Sequence, residues 1–310
     1  MRKDLIQRLK ELLQVFSHLL QRHQENKEVP LRKLIEEGVF FLQKNKIEEP
    51  RRNAEALLSF ILNKPLYYIY TENPFLPQKS ISLYNKLLKK RASGIPLQYL
   101  IKRVNFYGYD FFIQKGVFIP RPETELLIEK AVDIYNRYFF PSRMIKILDI
   151  GTGCGNISIT LAKEIKKSVI VATDISEKAI KTADYNAKIH GVENRIKFLK
   201  VNLFPLKKRR FNIIVSNPPY IPHPEISLLD REVKMEPHRA LCGSKDGLSV
   251  IRKILKEGDK FLYKGGFLLM EIGYNQATPI KEIICNLKLM GIEKDIAGIE
   301  RVVIFQKLQD

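Results

Sequence analysis

Asp149-Ile150-Gly151-Thr152-Gly153-Cys154-Gly155-Asn156 lies between two segments of different period. Ile145 to Ile150 before it is an apolar run of strand length, and Ile157 to Ile165 after it has helical spacing. Outward from this turn, strand and helix patterns alternate. Val169 to Thr173 reads as strand, Glu177 to Ile189 as helix, and Ile196 to Val201 and Phe211 to Val215 as strands. Ser249 to Phe261 reads as helix, Gly266 to Ile272 as strand and Ala277 to Met290 as helix, with Ile292 to Ala297 and Val302 to Leu308 as closing strands. Such alternation implies an α/β domain whose mostly parallel sheet is covered by helices on both faces.

Glycines between a strand and its helix let a ligand approach the backbone at the switch point of an open sheet. The dinucleotide fingerprint is G-x-G-x-x-G. Here glycines fall at 151, 153 and 155, so the third comes one residue early. That spacing suits pyrophosphate poorly and suits a nucleoside with an amino-acid tail, as in S-adenosyl-L-methionine. Asp174 ends the next strand, where a carboxylate can take both ribose hydroxyls. Cys154 reads as a small residue that fits the turn. Asn202 and Leu203 follow the third strand, facing the adenine of such a ligand; a polar loop is an equal alternative.

Ser216-Asn217-Pro218-Pro219-Tyr220 follows the buried strand Phe211 to Val215. Each proline fixes its own φ and lacks an N–H, and the residue before it is held extended. The Asn217 side-chain oxygen and the Pro218 carbonyl beside the Tyr220 ring form a socket for an NH2 group on a planar carbon. A plain strand end with a proline turn is the alternative on these five residues alone.

The 310 residues allow one large or two ordinary domains, and 45% hydrophobic content supports a core. No apolar run approaches the roughly 20 residues that span a bilayer. The start, MRKDLIQRLKELLQVF, is charged throughout and lacks a signal peptide's apolar centre. Three separated cysteines with no CxxC point to a reducing compartment, no disulfide frame and no thiolate zinc site. The net charge of +19 suits an anionic partner or one that works beside RNA, or simply a lysine-rich soluble protein. Leu5 to Leu20 has one apolar helical face, giving an extension over 1–30 of unknown role. Residues 31–95 read as a small helical domain, with helices over Leu31 to Asn45, from Pro50 to Leu62, and over Ile81 to Ala92 with Ser80 as N-cap. Leu97 to Ile119, rich in aromatic and β-branched residues, reads as a β-hairpin, and 96–120 as the connector to a domain over 121–310 whose first helix runs from Thr124 to Ile134.

The chain resembles class I S-adenosylmethionine-dependent methyltransferases, and within them the bacterial protein-(glutamine-N5) methyltransferases of peptide chain release factors. The likeness runs from about residue 32 to the end. It is carried by Gly94 to Leu100, Phe106-Tyr107-Gly108, Ile119 to Glu125, DIGTGCGN at 149 to 156, SNPPY at 216 to 220, Glu236-Pro237, Ala240-Leu241, Asp246-Gly247-Leu248 and Glu271-Ile272-Gly273. The glycine loop is generic, whereas FYG, RPETE and NPPY together are specific. Lys102, Asn202 and Ser244 depart from the usual glycine, aspartate and glycine. A neutral amide at 202 accepts a weaker bond than a carboxylate.

The resemblance implies a seven-stranded Rossmann-like class I methyltransferase domain behind a small helical domain and a β-hairpin connector. It implies a cytoplasmic enzyme, acting as a monomer, that methylates the glutamine of the GGQ loop in release factors. S-adenosyl-L-methionine is the donor, S-adenosyl-L-homocysteine the product, and no metal is expected. Asn217 and Pro218 would be catalytic, and these two with Pro219 and Tyr220 would bind substrate. Gly151, Thr152, Gly153, Cys154, Gly155, Asp174, Asn202, Leu203 and Asn217 would bind the cofactor. Arg121 and Glu123 read more simply as a hairpin-to-domain ion pair.

An adenine-N6 DNA or RNA methyltransferase shares the loop and the (D/N)PPY corner, and the charge suits it. No target-recognition segment follows the core, however, and Lys207 to Arg210 precede their strand, opposite the ligand edge. Direct nucleic-acid binding is therefore not expected. A non-catalytic binding module is a third alternative, against which stand the intact Asn217 and glycine loop.

Overall fold

The fold is given by a computed structural model that describes residues 30–140, 144–206 and 209–308. The helix expected over Leu5 to Leu20 lies outside the described residues, as do Lys207 and Lys208 of the basic stretch. The chain forms two compact units that divide between Ile101 and Lys102.

The first unit is helical: α1 (Leu31–Lys44), α2 (Pro50–Leu62), α3 (Leu66–Glu72), α4 (Gln78–Ala92) and α5 (Leu97–Ile101). Leucines and isoleucines at helical spacing, among them Leu31, Leu42, Leu57, Leu58 and Ile69, build one buried cluster. Gly38 lets α4 approach α1, since a Cβ there would lie 2.1 Å from the Tyr84 hydroxyl oxygen. Two sequence expectations are corrected here. The α4 N-cap is Pro77 (φ −60°, ψ 145°, extended), not Ser80, which lies within the first turn. Leu97 to Ile101 is helix, not strand; its turn starts from Pro96, whose carbonyl accepts from the Tyr99 N–H, and Leu100 joins the helical core.

The second unit opens with a hairpin, β1 (Arg103–Phe106) and β2 (Tyr109–Phe112). Tyr107 and Gly108 both have positive φ, 52° and 74°, the two-residue primed turn that matches strand twist. The Tyr107 N–H donates to Glu125 Oε1 at 2.7 Å, which ties this turn to α6 (Glu125–Tyr138). FYG and RPETE, far apart in sequence, therefore meet.

A seven-stranded sheet follows, in the order β5-β4-β3-β6-β7-β9-β8, formed by β3 (Ile145–Ile150), β4 (Ser168–Asp174), β5 (Ile196–Lys200), β6 (Phe211–Ser216), β7 (Leu262–Glu271), β8 (Lys288–Lys294) and β9 (Glu300–Gln306). All neighbours are parallel except β9, which runs antiparallel to β7 and β8. The central strands are nearly continuous apolar runs because both faces are covered. The helices include α7 (Asn156–Glu164), α8 (Glu177–Ile189), α9 (His238–Leu241), α10 (Ser249–Gly258) and α11 (Ala277–Lys281). Ser176 caps α8 by accepting from the Ala179 N–H at 3.3 Å. Asn186 on α8 grips the hairpin edge, accepting from the Phe112 N–H at 2.8 Å and donating to its carbonyl at 3.0 Å.

The helix expected over Ala277 to Met290 is shorter. It ends at Lys281, and Lys288 to Met290 belong to β8. Ala277 and Ile280 are buried on the short helix, whereas Ile284 beyond it is exposed and Leu289 pairs opposite Phe305 in the sheet. Pairing with β9 outweighs the local pattern.

Candidate active site

Strands β3 and β6 lie side by side where the chain reverses direction across the sheet. Ile150 pairs with Thr173 on one side and with Ser216 on the other. The glycine loop, Asp174 and the Asn217 corner therefore leave the sheet together at its carboxyl edge, the usual ligand edge of open α/β sheets. A cavity of about 1180 Å³ opens there. Its walls include Gly151, Thr152, Gly153, Asp174, Asn202, Leu203, Asn217, Pro218, Pro219 and Tyr220, together with Val117, Phe118 and Arg239.

Gly151, Gly153 and Gly155 have φ of 77°, 58° and 86°. Side chains other than glycine's are strained in this left-handed region. The loop folds back onto β4: the Gly151 and Thr152 N–H groups donate to the Thr173 carbonyl at 2.8 and 2.9 Å. A Cβ on Gly155 would lie 2.9 Å from Ile159 Cδ1 and 3.1 Å from Ala183 Cβ, so this glycine allows α7 and α8 to close together. Gly155 does not line the cavity, and neither does Cys154. Cys154 is wholly buried, and burial pushes its thiol up to about 12, which leaves no thiolate for nucleophilic chemistry.

Asp174 is anchored from behind. Its Oδ2 accepts from the Gly153 N–H at 3.0 Å and its Oδ1 from the Ser176 N–H at 2.8 Å. A carboxylate has about four acceptor positions, so each oxygen keeps one for a ligand. Burial raises its pKa, and the backbone donors oppose that rise. Leu203 has φ 60°, and its carbonyl accepts from Thr173 Oγ1 at 2.6 Å, while Asn202 is exposed at the rim. Beneath the loop, Asp149 is fully buried; Oδ2 accepts from Thr152 Oγ1 at 2.6 Å, and Oδ1 has no partner among the described residues. Burial pushes its carboxyl up to about 7.

At the corner, Ser216 Oγ donates to the Ile150 carbonyl at 2.8 Å and locks the two strand ends together. Asn217 Nδ2 donates to Thr124 Oγ1 at 3.0 Å. Thr124 Oγ1 donates to Glu271 Oε2 at 2.6 Å, and the Tyr220 hydroxyl donates to Glu271 Oε1 at 3.1 Å. Thr124 and Glu271 are each 1% exposed. Burial pushes Glu271 up to about 7, with the Thr124 and Tyr220 donors opposing. Among the described residues, no protein group donates to Asn217 Oδ1 or to the Pro218 carbonyl.

Arg121 pairs with buried Glu236 and donates to the Ile119 carbonyl at 2.8 Å, while the Ile119 N–H donates to Glu236 Oε2 at 2.9 Å. An ion pair is the simpler reading of Arg121 and Glu123; Arg121 forms one, with Glu236, and Glu123 forms none among the described residues. Sequence alone assigns no role to Asp149, Thr124 or Glu271. Their signals were present in DIGTGCGN, RPETE and Glu271-Ile272-Gly273, but only the fold brings Thr124 and Glu271 to Asn217. Among the described residues, no group of three or more His, Cys, Asp or Glu is arranged to hold a metal, and no helix is long and apolar enough to cross a membrane.

Residues 33–101 match the PrmC N-terminal domain family, and residues 123–230 match the Methyltransferase small domain family. The release factor glutamine methyltransferase of Dictyoglomus turgidum is 41% identical over 260 residues, covering 81% of this chain and 89% of its own length. The chain belongs to the release factor glutamine methyltransferase family. The Aquifex aeolicus member is 37% identical over 284 residues, 87% of this chain and 98% of that protein. The Fusobacterium nucleatum member is 35% identical over 312 residues, 98% of this chain and 86% of that protein. Among solved structures, the hMettl16 catalytic domain in complex with MAT2A 3'UTR hairpin 6 aligns over 72% of this chain and 83% of its own, with a TM-score of 0.52 and 16% identity, a likeness of fold alone. The family's fold is thus the seven-stranded methyltransferase sheet, and its members are enzymes that methylate a protein glutamine.

Proposed function

We propose that the chain transfers the methyl group of S-adenosyl-L-methionine to the side-chain amide nitrogen of the GGQ glutamine in peptide chain release factors, in the cytoplasm. The observation that carries this reading is that two acceptors, Asn217 Oδ1 and the Pro218 carbonyl, share one cavity with the glycine loop and Asp174. The residues present fit the cofactor: Asp174 keeps acceptor capacity for two ribose hydroxyls, the positive-φ turn at Gly151 and Gly153 exposes backbone to the cavity, and Leu203 and Asn202 stand at the adenine side. Bound there, S-adenosyl-L-methionine supplies an electrophilic methyl group.

This chain's residues then have to handle a poor nucleophile, because an amide nitrogen's lone pair is delocalised into its carbonyl. Asn217 Oδ1 and the Pro218 carbonyl accept the two amide hydrogens and aim the nitrogen. As the nitrogen takes the methyl group, positive charge builds on it, and both fixed acceptors bind it more tightly than in the ground state. One proton then leaves the nitrogen for water, and the second product is S-adenosyl-L-homocysteine, whose sulfur keeps the electron pair of the broken sulfur–methyl bond. Tyr220, braced by its bond to Glu271 and by Gln276 Nε2 donating to its carbonyl at 2.8 Å, walls the amide plane. Arg209 and Arg210 precede β6, at the sheet edge away from the cavity, which supports a protein rather than a nucleic-acid substrate.

The test is transfer of labelled methyl from S-adenosyl-L-methionine to purified release factor and, in parallel, to DNA and RNA. Label on release factor alone is expected. Label on nucleic acid with none on release factor would sink this reading in favour of an adenine methyltransferase.

A further inference from the structure

An asparagine side chain can turn over, exchanging its oxygen for its NH2 at little change in shape. Only one of the two orientations offers a substrate amide an acceptor, so something must select it. The two prolines after Asn217 fix the backbone and leave this choice untouched. Thr124 is the residue that meets the side chain, from the RPETE segment, 93 positions earlier in sequence. A threonine hydroxyl has one hydrogen to give and can otherwise only accept. That hydrogen is committed to Glu271 Oε2 at 2.6 Å, at the end of β7. Above about pH 7 Glu271 is ionised, and an ionised carboxylate has only acceptors. The second oxygen of Glu271 is likewise taken by the Tyr220 hydroxyl. The polarity is therefore set from the buried end outward: Glu271 accepts, Thr124 donates to it, and the Thr124 oxygen can face Asn217 only as an acceptor. Asn217 must then present Nδ2 to Thr124, which turns Oδ1 to the cavity.

We propose that Thr124 and Glu271 are positioning residues that fix the side-chain amide of Asn217 with its oxygen toward the substrate. The relay crosses three elements, the turn before α6, the end of β6 and the end of β7, so none of them alone carries the signal. It rests on the reading of Asn217 as the substrate's acceptor. It also explains why a glutamate stands fully buried with two hydroxyl donors and no direct ion pair among the described residues.

The test compares Thr124→Val, Thr124→Ser and Glu271→Gln with the unaltered enzyme by single-turnover methylation of a release factor, with melting temperature and S-adenosyl-L-methionine affinity measured on each. Valine keeps the shape of threonine and removes the hydroxyl, freeing Asn217 to turn over. Glutamine at 271 can offer Nε2 to Thr124, which reverses the hydroxyl and draws Asn217 Oδ1 away from the cavity. Both are expected to slow methyl transfer by about 10–100-fold, the range for loss of an orienting partner, with cofactor affinity held and KM for release factor changed less than kcat. Thr124→Ser keeps the relay and is expected to retain most of the rate. A folded Thr124→Val enzyme with the unaltered rate would overturn the relay while leaving Asn217's role intact. Thr124→Ser as slow as Thr124→Val would overturn it too, because packing of the methyl group would then be the cause. Failure of the unaltered enzyme to modify release factor would remove the reading of Asn217 and the relay together.

Discussion

Replacing Asp174 by alanine should weaken S-adenosyl-L-methionine binding and leave the sheet intact. The carboxylate's two oxygens are each held by one backbone N–H, from Gly153 at 3.0 Å and Ser176 at 2.8 Å. Asp174 lines the cavity, so its remaining acceptor capacity would meet the two ribose hydroxyls of the proposed cofactor. Alanine removes the ligand's bonds to a charged acceptor, and such bonds are worth about 1.5–3 kcal/mol. At 1.4 kcal/mol per factor of ten, loss of one such bond raises the dissociation constant about 10- to 150-fold, and loss of both raises it further. Some loss of loop order is included in that range, because the Gly153 and Ser176 donors also lose their partner. Titration calorimetry on both proteins reads the change, and a melting curve without ligand separates a cofactor defect from a folding defect. An Asp174→Ala protein that binds with unaltered affinity would take Asp174 out of the cofactor site and refute the reasoning.

Gly155→Ala should destabilise by about 2–4 kcal/mol, from a left-handed φ of 86° plus a Cβ 2.9 Å from Ile159; a melting temperature within a degree of the unaltered protein would contradict this. Cys154, with its thiol buried and raised to about 12, should resist iodoacetamide in the native protein, while the partly exposed Cys242 and Cys285 react first; peptide mapping after brief alkylation checks the order. Glu271 holds its proton up to about pH 7 in the folded protein, but an unfolded glutamate releases it near pH 4. Between those values the native state binds the extra proton, so stability from this group falls as pH rises. The Glu271→Gln protein should lack that fall, a difference of up to about 3 kcal/mol between pH 5 and pH 8 in urea unfolding. His190, whose pKa burial lowers, acts in the opposite direction and cancels in the comparison. Identical pH slopes for the two proteins would mean that Glu271 titrates normally.

Much of the fold was legible because the central sheet obeys simple rules. Ile145 to Ile150, Val169 to Thr173 and Phe211 to Val215 are short, mostly apolar runs that end at Gly151, Asp174 and Ser216-Asn217-Pro218, the pattern of buried parallel strands. The reading failed where tertiary pairing overrides local pattern. Ala277 to Met290 reads as helix, yet Lys288 and Leu289 pair with β9. Leu97 to Ile101 carries strand-forming neighbours, yet starts a helical turn at Pro96. At the site, the glycine loop, Asp174 and the Asn217 corner could be found in sequence because each follows directly on a strand. Thr124 and Glu271 could not be assigned, since their role depends on which atom of which side chain they face. Cys154 and Gly155 sit within the motif but do not line the cavity, a distinction that spacing does not encode.

The mechanism rests on Asn217 Oδ1 accepting a hydrogen of the target glutamine amide as the methyl group is transferred. Single-turnover methylation of a release factor by Asn217→Ala, run beside a cofactor titration, tests it most directly. By analogy with loss of one oxyanion-hole donor, the rate should fall by about 100-fold or more. Affinity for S-adenosyl-L-methionine should change far less, because Asp174 and the glycine loop are untouched. An Asn217→Ala enzyme that methylates at a near-normal single-turnover rate would contradict the claim and leave the NPPY corner as no more than a wall of the pocket.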